Sequence, residues 1–290
     1  MILHPGSSGT EQAIESYPER HLAMSSTVFH SKLLCNNTWL IQSEGCTSYL
    51  VVGDERGVVI DTGFSTQNIQ QYAQSLTDKP VQWAANTHGH FDHTGGNGWF
   101  ERAYMSAEAA KIAKTPYPSK RALRYPLDYP VTIVGDGDVI DLGNRPLEVI
   151  EIPAHAPSSV AFLDTKGRIL FTGDEVGRGV MLYWQQPEPQ PTVEQHARNM
   201  EKLLKRRGEF DFICSGHGEG LDDASLVEIL LEHDHWIMAG NEGTSFELRE
   251  RGPNEPPPED LVWYQIEYKR ISTFKGTMIG YDIRYVHSRR

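Results

Sequence analysis

The sequence predicts an α/β protein whose chemistry lies along one edge of a sheet. Three observations predict it. Apolar, β-branched runs alternate with segments of helical spacing along most of the 290 residues. The stretch His88-Gly89-His90-Phe91-Asp92-His93 puts three imidazoles and a carboxylate within six positions. Three later strand-like runs stop at Gly or Pro and then present one ligand-type side chain: residues 149–153 before His155, 168–173 before Asp174, and 210–216 before His217.

The elements follow in order. Residues 1–30 are polar, rich in His and Ser and without period, as in an irregular or strand-edge extension. Leu40-Ile41, 47–52 and 58–61 read as a meander of strands with a turn at 53–57. Ile69, Tyr72, Ala73 and Leu76 recur at helical spacing until Lys79-Pro80 stops the helix. Residues 81–86 form the strand that delivers the His cluster, 106–114 a short helix, and the Pro- and Tyr-rich 115–130 a long irregular connection. Strands at 139–142, 147–152, 160–163 and 169–171 come next, with helices at 192–207 and 222–239 flanking the strand that leads to His217. Leu226, Ile229, Leu230, His233 and Ile237 share one face of the last helix, so His233 reads as a packed histidine. The Pro-rich break at 252–258 precedes two alternating runs, Val262 to Tyr268 and Ile279 to Tyr285, expected as a C-terminal hairpin. The expected organisation is an extension over 1–30, a metal-binding domain over 31–250 and a hairpin extension over 251–290. The hairpin packs on the domain, covers the site or pairs with another subunit in a homo-oligomer.

Composition bounds the function. The apolar share is 39% and no apolar run reaches transmembrane length. The N-terminus has neither a basic flank nor an apolar core, so no signal peptide is expected. Three cysteines are too few and scattered for a disulfide framework, and a reduced cytoplasm follows; Cys214 reads as a small buried strand residue. A net charge of −12 argues against nucleic acid as partner, because phosphate contacts need a basic footprint. The densest basic stretch, Lys202 to Arg207, ends a helix and is read as a solvated face.

The His cluster has no ordinary folding rationale. A short loop cannot bury four such groups without partners, and clustered imidazolium repels itself. Neutral imidazole and carboxylate are what zinc accepts. Side chains too close to share one tetrahedral ion divide between two, His88 and His90 on one, Asp92 and His93 on the other. Each ion then needs further ligands, which His155, Asp174 and His217 supply.

These residues resemble the motifs of the metallo-β-lactamase-fold hydrolase superfamily across roughly residues 35–240. An Asp ending a strand is matched by Asp61, the His-x-His-x-Asp-His loop by residues 87–96, and three later single ligands by His155, Asp174 and His217. The third motif departs from the usual Gly-His-Thr-x-Gly-Ser, reading Ala154-His155-Ala156-Pro157-Ser158-Ser159. The resemblance implies a four-layer αβ/βα sandwich of two mixed sheets. It puts His88, His90 and His155 on a first metal, Asp92, His93 and His217 on a second, and Asp174 between them, with Asp61 orienting the loop. A bridging Asp looks like glyoxalase-II-type thioesterases, lactonases and phosphodiesterases more than true β-lactamases.

The implied chemistry is hydrolysis of a small, partly apolar ester, lactone or thioester by a hydroxide bridging two zinc ions, with manganese or iron according to supply. Asp174 or Asp92 handles the proton, and Tyr183 is the candidate contact to the substrate carbonyl by its position after Asp174. Met181, Trp184, Tyr117 and Tyr125 are expected around an apolar pocket. Other readings are a β-lactamase-type amide hydrolase, an iron-dependent persulfide dioxygenase-like oxidoreductase, and a binding module that has lost its metals. The last typically lacks ligands, and none is missing here.

Overall fold

The computed structural model describes residues 29–64, 67–115, 128–182, 191–245 and 268–288. The expected extension up to residue 28, residues 116–127 of the Pro- and Tyr-rich connection and the alternation at 262–267 lie outside them. The first half supplies β1 (His30–Cys35), β2 (Thr38–Gln42), β3 (Thr47–Val52), β4 (Gly57–Ile60), α1 (Ile69–Gln74), β5 (Val81–Ala85), α2 (Phe91–Thr94), β6 (Arg102–Met105), α3 (Ala107–Ala113) and β7 (Val131–Ile133). The second supplies β8 (Val139–Asp141), β9 (Pro146–Glu151), β10 (Val160–Asp164), β11 (Ile169–Gly173), β12 (Gly179–Met181), α4 (Val193–Leu204), β13 (Phe212–Ser215), β14 (Asp222–Asp223), α5 (Leu226–Met238), β15 (Thr244–Ser245), β16 (Lys269–Phe274) and β17 (Thr277–Asp282).

One sheet runs in chain order from β1 to β7. Its first strands form an antiparallel meander, and β4 to β7 then pair in parallel through crossovers that contain α1, α2 and α3. The other has the order β14-β13-β11-β10-β9-β8, with β11 and β13 parallel and the remaining pairs antiparallel.

Strand periodicity explains the layering. In β4, Val58 and Ile60 face the space between the sheets while Val59 joins the core on the opposite face. In β10 and β11, Phe162, Ile169 and Phe171 face inward, and Ala161, Leu163 and Leu170 face the helices. Strands buried on both sides read as continuous apolar runs, which is why they were legible. Ile69, Ala73, Ala109 and Ala113 of α1 and α3 cover one sheet, and Met200, Leu203, Leu226, Leu230 and Ile237 of α4 and α5 cover the other. The result is the expected four-layer αβ/βα sandwich. Among the described residues no helix is long and apolar enough to cross a membrane.

Two expectations need correction. The helix expected from residue 222 begins at Leu226, because Asp222 and Asp223 pair with Ile213 and Phe212, and Asp223 Oδ1 accepts the Ser225 amide at 2.8 Å. The partner of β17 is Lys269–Phe274, turned at Lys275 (φ 46°) and Gly276 (φ 80°), and Ile283 and Tyr285 lie in a 3-10 turn instead of a strand. The apolar alternation is broken there because Ser272 and Thr277 turn inward to hold His233, at 2.9 and 2.8 Å. A third sheet, β12-β17-β16-β15, ties this hairpin to the strand that follows Asp174.

Candidate metal centre

The C-terminal ends of β4, β5, β9, β11 and β13 lead into Asp61, His88, His155, Asp174 and His217 at one edge of the sandwich. The short helix α2, with His90 as its N-cap, adds Asp92 and His93. The fold brings the seven expected ligands together in overlapping groups: His88, His90 and His155; His88, His93 and Asp174; and Asp92, His93 and His217, the ligand atoms of each group lying within 4.8 Å of one another. His90 Nδ1 is 3.0 Å from both His88 Nε2 and His155 Nε2. Asp174 Oδ2 is 3.2 Å from His217 Nε2 and 3.5 Å from His155 Nε2, while Oδ1 is 3.4 Å from His93 Nε2. Asp92 Oδ2 lies 3.7 Å from His93 Nε2 and from His217 Nε2. Asp174 therefore reaches both ends of the cluster.

A divalent cation fits this donor set. His90 Nδ1 offers one proton or one lone pair, yet two ring nitrogens address it. His93 Nε2 and Asp174 Oδ1 are buried and make no hydrogen bond, a condition that costs about 1–3 kcal/mol per group unless something else pairs with them. Imidazole and carboxylate suit zinc, and also manganese or iron. Electrostatics point the same way. Burial, reinforced by the neighbouring imidazoles, keeps His88 and His90 well below the usual histidine range, hence neutral. Burial alone would push the Asp174 carboxyl up, but His217 and His93 hold it well below its usual range. His93 in turn is held well above its usual value against burial, chiefly by Asp174. The carboxylates call for positive charge at this spot, and bound cations supply it without protonating a ligand.

Supporting contacts aim the rings. Thr87 Oγ1 lies 3.1 Å from His88 Nδ1, Asp61 Oδ2 lies 2.9 Å from His93 Nδ1, and His155 Nδ1 donates to the Met181 carbonyl at 2.7 Å, so each ring turns Nε2 to the site. Asp61, outside the ligand groups, sits in the left-handed region at φ 54°. Gly216 is required by close approach: a Cβ there would lie 2.3 Å from Asp174 Oδ1.

Sequence reasoning missed the groups that hold the third motif. Glu175 Oε1, fully buried, accepts the amides of Ala154 and Ala156 at 2.9 and 3.4 Å. His196 Nε2 donates to the Glu175 carbonyl at 2.9 Å, and its Nδ1 pairs with Asp234 at 2.8 Å. Burial raises the Glu175 carboxyl. Burial opposes charge on His196, but Asp234 carries its pKa to about 9. The only sequence signal was a His and an Asp on the apolar sides of two amphipathic helices. Tyr183, Trp184, Tyr117 and Tyr125 lie outside the described residues, and Met181 enters through its carbonyl.

The model of the metallo-β-lactamase superfamily matches residues 42–217, and the chain belongs to that superfamily. As a member of it, the protein is a metal-dependent hydrolase. It is 32% identical over 202 residues to the acyl-coenzyme A thioesterase MBLAC2 of Homo sapiens, covering 58% of this chain and 71% of that one. It is 30% identical over 185 residues to a hydroxyacylglutathione hydrolase of Hydrogenovibrio crunogenus, covering 63% of this chain and 59% of the relative. Among solved structures, a metallo-β-lactamase from Pontibacter korlensis superposes with a TM-score of 0.55 at 20% identity, over 71% of this chain and 98% of that one, a likeness of fold alone.

Proposed function

We propose that the protein hydrolyses small acyl thioesters, with esters and lactones as the neighbouring alternatives, using two zinc ions. His88, His90 and His155 would hold one ion, Asp92, His93 and His217 the other, and Asp174 would join them. The observation that carries this reading is Asp174 lying within 3.5 Å of His155 and of His217 at once; the thioester preference draws on the relatives named acyl-coenzyme A thioesterase and hydroxyacylglutathione hydrolase. When bound, a pair of divalent cations makes hydroxide available by lowering the pKa of water from about 15.7 towards 7 and polarises the substrate carbonyl. Asp92 or Asp174 would take up the proton released at attack. A thiolate leaving group, from a thiol of pKa about 8.5, needs little help from an acid. His217 is half exposed whereas His88, His90 and His155 are buried, so substrate approaches from the His217 side. Tyr183, two residues beyond Met181, is proposed to meet the substrate carbonyl.

The test is turnover by zinc-loaded protein on acyl-coenzyme A, acylglutathione, acyl-homoserine lactone, aryl ester, cephalosporin and bis-aryl phosphodiester, with elemental analysis alongside. Thioester preference and about two zinc ions per chain are expected. His90→Ala and Asp174→Ala should abolish turnover in folded protein. A preference for cephalosporin or phosphodiester overturns the substrate assignment. One iron per chain with oxygen consumed moves the protein to the dioxygenase class.

A further inference from the structure

We propose that Glu175 is a positioning residue that fixes His155 relative to Asp174, a reading that rests on these two being metal ligands. Neither neighbour of His155 is a glycine. A loop of Cβ-bearing residues that bends a ligand into a buried site must still pair its main-chain donors. The main-chain N–H groups of Ala154 and Ala156, the residues before and after His155, turn to one oxygen, Glu175 Oε1, at 2.9 and 3.4 Å. Holding the Pro153–Ala154 peptide before the ligand and the His155–Ala156 peptide after it restrains the loop on either side of His155, and with it the direction of its Cα–Cβ bond. The Nδ1 bond to Met181 then sets the ring rotation.

The same residue governs the second ligand. Asp174 and Glu175 are consecutive, so the backbone of Glu175 carries Asp174 while its side chain carries His155. That backbone is held from outside the site: its carbonyl accepts His196 Nε2 at 2.9 Å, and His196 on α4 is anchored by Asp234 on α5. His196 and Asp234 are wholly buried, so the anchor belongs to the helix layer and not to a surface loop. Glu175 thus links the helices, the bridging carboxylate and the first-site histidine, and it sets the 3.5 Å between His155 Nε2 and Asp174 Oδ2.

Two substitutions separate positioning from bulk stability. Glu175→Gln keeps an acceptor oxygen, and Glu175→Met keeps the volume without one. The readouts are thermal unfolding of the metal-free proteins and zinc affinity by competition with a chromophoric chelator. Metal-free Glu175→Gln should unfold close to the wild type, and metal-free Glu175→Met at a lower temperature, because two buried amides lose their acceptor, while both stay folded at the temperature of the zinc titration. Glu175→Gln should keep wild-type affinity within a few-fold, whereas Glu175→Met should bind its tightest zinc about 10–100-fold more weakly. Equal affinities in the two variants overturn the proposal, and so does unfolding of Glu175→Met alone at the temperature of the titration, which would make Glu175 a determinant of the fold instead. Wild-type protein that binds no zinc would instead count against the metal reading itself, so the two failures are distinct.

Discussion

His93 Nδ1 lies 2.9 Å from Asp61 Oδ2, and the same carboxylate accepts the amide and hydroxyl of Thr87 at 2.9 and 2.7 Å. With its proton given to Asp61, Thr87 Oγ1 is left to accept from His88 Nδ1. One buried carboxylate therefore sets the tautomer of a histidine in each ligand group, His93 directly and His88 through a hydroxyl. Asp61 reaches this position only by adopting φ 54°, a conformation that Asp tolerates better than most residues.

Asp61→Asn should accordingly weaken zinc binding at both positions while leaving the fold intact. An amide offers one acceptor oxygen where three donors converge, and its NH₂ faces Thr87 or His93 wrongly. A loss of about 10–100-fold in zinc affinity is expected, with kcat/KM falling in parallel. Chelator competition measures it, and wild-type affinity in the variant would refute the tautomer argument.

The two proposed metal positions should also empty in sequence. The His88, His90 and His155 group is buried, whereas His217 is 52% exposed and Asp92 23% exposed. A chelator in solution reaches the His217 end first, and the buried triad loses its ion only when the loop opens. Zinc release into excess chelator should be biphasic, and His217→Ala should remove the fast phase alone. A single phase in the wild type would mean that the ions leave together.

The candidate ligands were legible because metal chemistry restricts residue type, so His88, His90, Asp92 and His93 stand out without knowledge of the fold. The sandwich was legible because strands such as β10 and β11 are apolar on both faces. What holds these parts together was not. Glu175 bonds amides 19 and 21 positions earlier in the chain, and His196 meets Asp234 across 38. A pairing between distant positions leaves no local period. The start of α5 and the strand β16 were misread for a related reason: polar side chains at Asp223, Ser272 and Thr277 are spent on specific partners, which breaks the apolar pattern that marks an element.

Two buried histidines should give stability opposite dependences on pH. His233, bonded to the hydroxyls of Ser272 and Thr277, is driven down to about 4, first by burial and then by the charge on His196. Below the unfolded value near 6.5 the unfolded chain takes up a proton that the folded chain refuses, so stability falls from about pH 6.5 towards 4. His196, raised to about 9 by Asp234 with Glu175 adding to it, contributes stability that is complete below 6.5 and fades as pH rises through 9. Urea unfolding between pH 4 and 10 should show both slopes. His233→Gln should make the acid limb shallower, leaving the share that His88 and His90 contribute, and spare the alkaline one; an unchanged acid limb would remove His233 as a cause.

At the end of the sandwich remote from the metals, Arg145 binds the two sheets together. Its guanidinium donates to Asp164 Oδ2 at 2.9 and 2.6 Å, to the carbonyls of Asn36 and Val52 at 2.5 and 2.8 Å, and to Thr38 Oγ1 at 2.7 Å. Asp164 Oδ1 meanwhile accepts the Gly167 amide at 2.7 Å. Arg145 and Asp164 are both buried, so removal of one leaves the other as an uncompensated charge in a poorly polarisable setting. Arg145→Met should cost about 3–5 kcal/mol of stability, more than an exposed pair such as Arg168 with Asp211 would. Because β11 spans from this end to Asp174, the ligands themselves are untouched, and zinc stoichiometry should match the wild type while the protein is folded. Urea unfolding with metal analysis on the folded fraction measures both. A cost below about 1 kcal/mol would show that the sheets are held by their apolar interface alone, and a loss of zinc in folded protein would show that the two ends of the sandwich are coupled.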